Sequence, residues 1–144
     1  MSETACIFCK ILAGAAPASI VYRDALVTAF MDIQPVTPGH LLVIPNQHSS
    51  DLAGVAPETA AQLMRIGQRL AAALRASGLR CEGVNLFLAD GQAAGQEVWH
   101  SHLHVIPRYA GDGFGLKMPP TYRSTRPTRE QLDAAASQVR GALK

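Results

Sequence analysis

His100, His102 and His104 occupy alternate positions in the segment Gln96-Glu97-Val98-Trp99-His100-Ser101-His102-Leu103-His104-Val105-Ile106-Pro107-Arg108. Alternate side chains of an extended strand share one face, so a strand over 98–108 would line up three imidazoles. A neutral imidazole can act as nucleophile, proton donor or metal ligand near physiological pH. Only five histidines occur in the 144 residues, and three of them fall here. One reading is a polar row on a solvated face. A second is a single catalytic metal held by all three rings. Strand rise places His100 and His104 roughly 13 Å apart at the backbone, too far for nitrogens that must each come within ~2.1 Å of one ion. His102 and His104 could still share a metal. The third reading is phosphoryl chemistry, in which one ring attacks phosphorus and its neighbours hold oxygens or move a proton.

A second motif, Cys6-Ile7-Phe8-Cys9, admits three readings. A redox pair of the thioredoxin type should follow a strand and open a helix, and almost nothing precedes Cys6. Two unpaired thiols are another reading. The third is half of a zinc site that needs two further ligands. Cys81 stands alone and reads as a buried or inert thiol.

The elements that would position these groups can be read from pattern. Residues 6–13 suit a short helix with Ile7, Phe8, Ile11 and Leu12 on one side. Residues 19–23 and 25–31 read as strands around a turn at Arg23-Asp24, and 34–39 as a loop. Residues 40–45 form an apolar run that predicts a buried strand. The spacing of Leu63, Ile66, Leu70 and Leu74 predicts a helix over 57–77, with Pro57 at its start and Gly78 as its stop. Residues 84–88 read as a strand, and 90–96 as a glycine-rich loop leading into the histidine strand. Glycine and proline make 110–127 an irregular loop. Thr128 can cap a final helix with Leu132, Ala135, Ala136 and Val139 inward. The expected class is α+β, with a mostly antiparallel five-stranded sheet, one long helix and short flanking helices.

His100-x-His102-x-His104 followed by two apolar residues resembles the motif of the histidine triad (HIT) family of nucleotide hydrolases and transferases. Pro38-Gly39-His40-Leu41-Leu42-Val43-Ile44-Pro45 resembles that family's other signature, with Asp32-Ile33 ahead of it and Gly95-Gln96 just before the triad. The resemblance spans roughly residues 5–109. It implies the HIT-like fold and a catalytic set of His102, His104, His40 and Gln96. His102 would be the nucleophile on an α-phosphate, giving a nucleotidyl-histidine intermediate. His104 and His40 would hold phosphate oxygens, and Gln96 would bond the scissile bridge or the phosphate. Asp32 would bind the ribose hydroxyls, while Phe30 and Ile33 flank the base. Substrates would be purine nucleoside phosphoramidates or dinucleoside polyphosphates. Glu97 stands where some relatives carry Ser or Thr, and is expected to point away from phosphate or to act through its backbone. Ala89 replaces an Asn or Gln of some relatives.

Bacterial members with a similar layout join such a cysteine pair to two histidines. The resemblance therefore implies a closed structural zinc site made of Cys6, Cys9, His48 and His100. It implies no organic cofactor, and a homodimer with the sheet extended between protomers. The HIT domain is expected over 1–110, with 111–144 a loop and helix packed on it. In that tail Lys117, Tyr122, Arg123 and Arg126 could tune specificity.

Composition bounds the alternatives. A chain that is 48% hydrophobic can build one core, and a net charge of +2 gives no footprint for nucleic acid. No apolar run approaches the ~20 residues of a membrane helix. An odd cysteine count without an export signal points to a cytoplasmic chain. Two rival functions remain open at this level. One is a nucleotide-binding regulatory module with little turnover. The other is a metal-dependent hydrolase using the histidine row as ligands.

Overall fold

The computed structural model describes residues 5–124 and 126–144. Its elements run α1 (Ile7–Leu12), β1 (Ile20–Arg23), β2 (Val27–Met31), β3 (Leu41–Pro45), α2 (Pro57–Ala76), β4 (Gly83–Phe87), β5 (Leu103–Arg108) and α3 (Arg129–Ala142). The strands form one antiparallel sheet in the order β1-β2-β3-β5-β4. The α+β class with a five-stranded antiparallel sheet and one long helix is therefore as the sequence implied. Tertiary contacts divide the chain into two compact units, Met1–Gly113 and Phe114–Lys144.

Strand pleat sorts the apolar residues of the first unit between two faces. Val27, Ala29, Leu41, Val43, Leu103 and Val105 share a core with Leu63, Ile66, Leu70 and Leu74 of α2. The helical spacing seen in the sequence is thus the buried stripe of α2. Gly67 sits where that helix crosses the sheet, and a Cβ there would meet Leu103 Cδ2 at 3.0 Å. Close approach accounts for a glycine inside a helix. Gly78 ends the helix at φ +82°, just after the C-cap Ser77. The opposite face carries Phe30, Leu42 and Ile44, roofed by Cys6, Phe8 and Ile11 of the α1 segment.

Three expectations are corrected. The histidine strand begins at Leu103, not at residue 98, so His100 and His102 precede it and only His104 lies in the ladder. The reason is local: the Ser101 amide donates to the Ser49 carbonyl, and the His100 carbonyl accepts a side-chain proton instead of a ladder bond. In α1, Phe8 and Ile11 are buried but Ile7 is exposed, because six residues complete fewer than two turns and only one narrow stripe faces the sheet. In α3, Thr128 and Gln131 form a reciprocal capping box, as a cap at 128 requires. No residue of that helix is buried, however, and Leu132 and Val139 are exposed where an inward face was expected. Capping satisfies the end of a helix without requiring a partner for its apolar stripe. The expected irregular stretch 110–127 contains turns and no regular element among its described residues, with Thr125 outside them.

Candidate active site and metal centre

Register decides which side chains meet. Phe30 pairs with Leu42, and Leu42 with His104, so these three share the face roofed by α1. His40 lies two residues before Leu42, with the same parity. The Asp32 amide donates to the His40 carbonyl at 3.0 Å, which extends the β2–β3 pairing by one step. Phe87 pairs with His104 across the β4–β5 ladder, and their rings lie 5.8 Å apart. Asp32, His40 and His104 thus converge at one end of the sheet.

Backbone groups assign the histidine tautomers. His102 Nδ1–H donates to the His100 carbonyl at 2.7 Å. A carbonyl can only accept, so His102 Nε2 keeps a free lone pair. The Val36 amide donates to His40 Nδ1 at 3.1 Å. An amide can only donate, so the proton of neutral His40 sits on Nε2. That Nε2–H donates to His104 Nδ1 at 2.9 Å, which leaves the His104 proton on its own Nε2. The His102 and His104 rings lie 4.8 Å apart, and those of His40 and His104 5.1 Å apart. The arrangement holds one bare nucleophilic nitrogen beside a chain of two proton-bearing rings.

All three rings are held neutral. Burial pushes His104 down to about 4, reinforced by His102 and His40 and opposed by Asp32. Burial also lowers His40, with the Asp32 carboxylate pulling upward. His102 is lowered by burial too, while its bond to the His100 carbonyl, Asp32 and Glu97 favour its charged form. Asp32 Oδ2 lies 3.6 Å from His40 Nε2, and Asp32 Oδ1 accepts the Gln34 amide.

Asp32, His40 and His104 bring three ligand-type atoms together, as a divalent ion would require. His40 suits that role poorly. Its Nδ1 accepts the Val36 amide hydrogen bond and its Nε2–H bonds His104, so lending Nε2 to a metal would move the proton to Nδ1 and give up both bonds. The reading of a metal-dependent hydrolase is chemically disfavoured at this cluster.

The other cluster fits a metal well. Cys6, Cys9, His48 and His100 converge from α1, the loop after β3 and the segment before β5. His48 Nδ1 lies 3.3 Å from His100 Nδ1 and 3.3 Å from Cys9 Sγ. His100 Nδ1 lies 3.4 Å from Cys6 Sγ and 3.6 Å from Cys9 Sγ. Tetrahedral zinc implies nitrogen–nitrogen spans of about 3.4 Å and nitrogen–sulfur spans of about 3.6 Å. His100 Nε2–H donates to the Pro45 carbonyl at 2.9 Å, which turns the Nδ1 lone pair toward the cluster. The two outer histidines of the row therefore belong to different clusters.

Four residues expected near the substrate have the following surroundings. Gln96 is buried, with its Oε1 accepting the Gly91 amide and its Nε2 donating to the Ser50 and Val98 carbonyls. Its amide is spent on holding the loop, so a direct bond to phosphate is not available in this arrangement. Phe30 is a core residue, 3% exposed and edge-on to Phe8 at 5.5 Å. Ile33 is 92% exposed on the loop beside Asp32. Glu97 is exposed, and its charge favours the protonated form of His102. Val36, Pro45, Ser49 and Ser50 take part through backbone atoms, which no residue-type pattern could disclose. Phe8 was legible only as a core residue of the first helix.

The chain matches the HIT domain family model over residues 13–111. It is 43% identical over 141 residues to an uncharacterized HIT-like protein of Mycobacterium tuberculosis, covering 91% of this chain and 97% of that one. A solved HIT family protein from Bacillus anthracis matches with a TM-score of 0.89 at 40% identity, covering 99% of this chain and 100% of that one. A Zn-bound histidine triad family protein from Mycobacterium smegmatis matches at 0.75 and 42% identity, with the same coverage. A histidine triad nucleotide-binding protein from Candida albicans matches at 0.83 and 26% identity, covering 96% of each chain. The chain belongs to the HIT family. No helix among the described residues is long and apolar enough to cross a membrane.

The lowered histidines make fold stability depend on pH. Above the ordinary histidine value of 6.5 both folded and unfolded rings are neutral, and the fold loses nothing. Below it the unfolded chain binds protons that folded His104 and His40 refuse, so stability falls as pH drops toward about 4. Urea denaturation should show a lower midpoint at pH 5 than at pH 7.5, with the difference reduced in His104→Asn. Equal midpoints at the two pH values would contradict the neutral-ring site.

Proposed function

We propose that this chain is a hydrolase or transferase acting on the α-phosphate of nucleotide conjugates, through a covalent nucleotidyl-His102 intermediate. The observation that carries this reading is the 2.7 Å bond from His102 Nδ1–H to the His100 carbonyl, which leaves Nε2 bare beside His104. In the first displacement the Nε2 lone pair forms a bond to phosphorus as the bond to the leaving group breaks. His104 Nε2–H donates a hydrogen bond to the leaving atom, which takes up a proton from solvent as it departs, and the 2.9 Å bond from His40 Nε2–H holds His104 in the tautomer that presents Nε2–H. In the second displacement water attacks phosphorus, the nitrogen–phosphorus bond breaks to release neutral His102, and the water proton returns to solvent. A nucleoside monophosphate is released.

Asp32, at the loop end of β2, is the ribose ligand in this reading, since Oδ2 retains acceptor capacity beside the site. Gln96 acts as a positioning residue for the loop that carries the triad. Between the two substrate classes, Glu97 favours a phosphoramidate, whose amine leaving group carries no negative charge toward a carboxylate. The nucleotide-binding relative from Candida albicans supports nucleotide recognition by the same fold.

Mixing the protein with adenosine phosphoramidate should give an acid-sensitive AMP adduct on His102 by mass spectrometry, together with steady-state release of AMP. His102→Ala should lower turnover by on the order of 10³-fold or more while nucleotide binding persists. Normal turnover in that variant would refute the nucleophile. Nucleotide binding with neither adduct nor AMP release would instead favour a regulatory binding module.

We also assign a structural zinc ion to Cys6, Cys9, His48 and His100. The spans near those of tetrahedral zinc and the Zn-bound relative support the assignment. Bound there, the ion would tie α1 to the sheet. Gently purified protein should carry about one zinc per chain by elemental analysis, and Cys9→Ser should lose most of it. Metal-free protein that takes up no added zinc would exclude the site.

A homodimer is proposed on the β4 side. β4 is an edge strand, and a shallow apolar groove beside it is lined by Met64, Ala61, Ala71 and Ala72 of α2 together with Leu86. A second copy would cover both the groove and the open strand edge. Light scattering should give twice the chain mass, and Leu86→Arg should shift it to the monomer. A monomeric wild-type protein at micromolar concentration would rule this out.

A further inference from the structure

Phe8 lies between the two cysteines of the metal cluster and is almost wholly buried. Its ring does more than fill the core under β3. It meets His100 at 5.7 Å and 70°, and His102 at 5.4 Å and 82°, both edge-on. Edge-to-face pairs at such separations are directional, and they restrict tilt more than aliphatic packing does. On another side His102 meets His104 at 4.8 Å. His104 is itself fixed by the bond from His40. The nucleophile is therefore gripped between two rings, one held by the sheet and one carried by α1.

That grip matters because His102 has little else. Among the described residues its side chain makes one hydrogen bond, to the His100 carbonyl. This bond sets the tautomer but allows the ring to tilt about it. The backbone here lies outside the β5 ladder. His100, which supplies the carbonyl, is placed by its own side chain, through the Pro45 carbonyl and the cysteine cluster. The ring of Phe8 touches both His100 and His102, while its flanking cysteines hold the other end of the same cluster.

We propose that Phe8 is a positioning residue for His102, and that the metal-binding turn of α1 orients the nucleophile through this ring. The proposal rests on the reading of His102 as nucleophile only for its kinetic arm. Its structural arm is independent of any reaction.

The test uses the full chain, purified with zinc and labelled with 15N-histidine, at pH 7.5 where the rings are neutral. Long-range 1H–15N spectra of the wild-type protein should show His102 as a single Nδ1–H tautomer with sharp signals. Phe8→Leu keeps an apolar side chain of similar bulk and removes the ring edges. With zinc content unchanged, it should broaden or split the His102 signals and leave those of His40 in place. It should also lower kcat about tenfold or more with little change in KM, as expected for a misdirected reacting group. Ile11→Val, in the same core cluster, is the control that should lower stability without altering His102. Should Phe8→Leu fail to fold or to hold zinc, the wild-type chain stripped by a chelator gives the second reading. With the sheet intact by circular dichroism, His102 should lose its single ordered signal and regain it on adding zinc. Unchanged His102 signals in zinc-loaded Phe8→Leu, or in the stripped wild type, would overturn the proposal. An absent adduct with an altered His102 spectrum would refute the catalytic reading alone.

Discussion

The carbonyl oxygen of His100 is the atom on which the site depends. By accepting the Nδ1 proton of His102 at 2.7 Å it chooses which nitrogen of that ring is left bare. A side-chain acceptor could rotate or become protonated, whereas a backbone carbonyl does neither. Its position must then be secured by other means, because residues 97–102 lie outside the ladder of β5. The chain secures it through the side chain of the same residue. The ring of His100 is fully buried, bonded to the Pro45 carbonyl on one nitrogen and aimed at two thiols and His48 with the other. One residue thus connects the metal-type cluster to the ring of His102, and the α1 segment meets the same face of the sheet with the cysteines it carries.

A second constraint follows from the sheet. An imidazole is a nucleophile only while neutral, and burial favours the neutral form of all three rings. Burial in turn demands partners for every ring nitrogen that water no longer reaches. The β2–β3–β5 register meets the demand by placing His40 two residues from Leu42, opposite His104. The Val36 amide, from the loop just before His40, closes the chain of bonds at its far end. Desolvation and directional bonding therefore come from the same packing.

The parts of this arrangement that were legible in sequence are those that residue type alone determines. Period-two and period-3.6 patterns exposed β3 and α2, because Leu41, Val43, Ile66 and Leu70 have no reason to alternate or repeat except burial. The triad and the Cys6/Cys9/His48/His100 set were legible through their resemblance to a known family. What stayed hidden was determined by backbone. Residues 98–102 alternate as a strand would, yet the Ser101 amide turns to Ser49, and no pattern of side chains announces that choice. Gln96 illustrates the same limit. Its type suits a phosphate contact, but the carbonyls of Ser50 and Val98 and the amide of Gly91 satisfy it first. Phe30 was ambiguous for a different reason: an aromatic beside a site reads equally as platform or core, and the contact with Phe8 shows its part in the core.

Charge distinguishes this site from a phosphate cradle built on cations. Asp32 and Glu97 both favour protonation of His102, yet burial outweighs them and the ring stays lowered. A phosphate entering here meets donors and a lone pair instead of fixed positive charge. Neutral donors hold a ground-state phosphate weakly, and in the proposed reaction the charge that develops on a departing group would meet the His104 N–H that the bond from His40 orients. Under that proposal the exposed carboxylate of Glu97 would disfavour leaving groups that are already anionic, and the site would suit a substrate whose leaving atom gains a proton better than one whose leaving group departs as a polyphosphate.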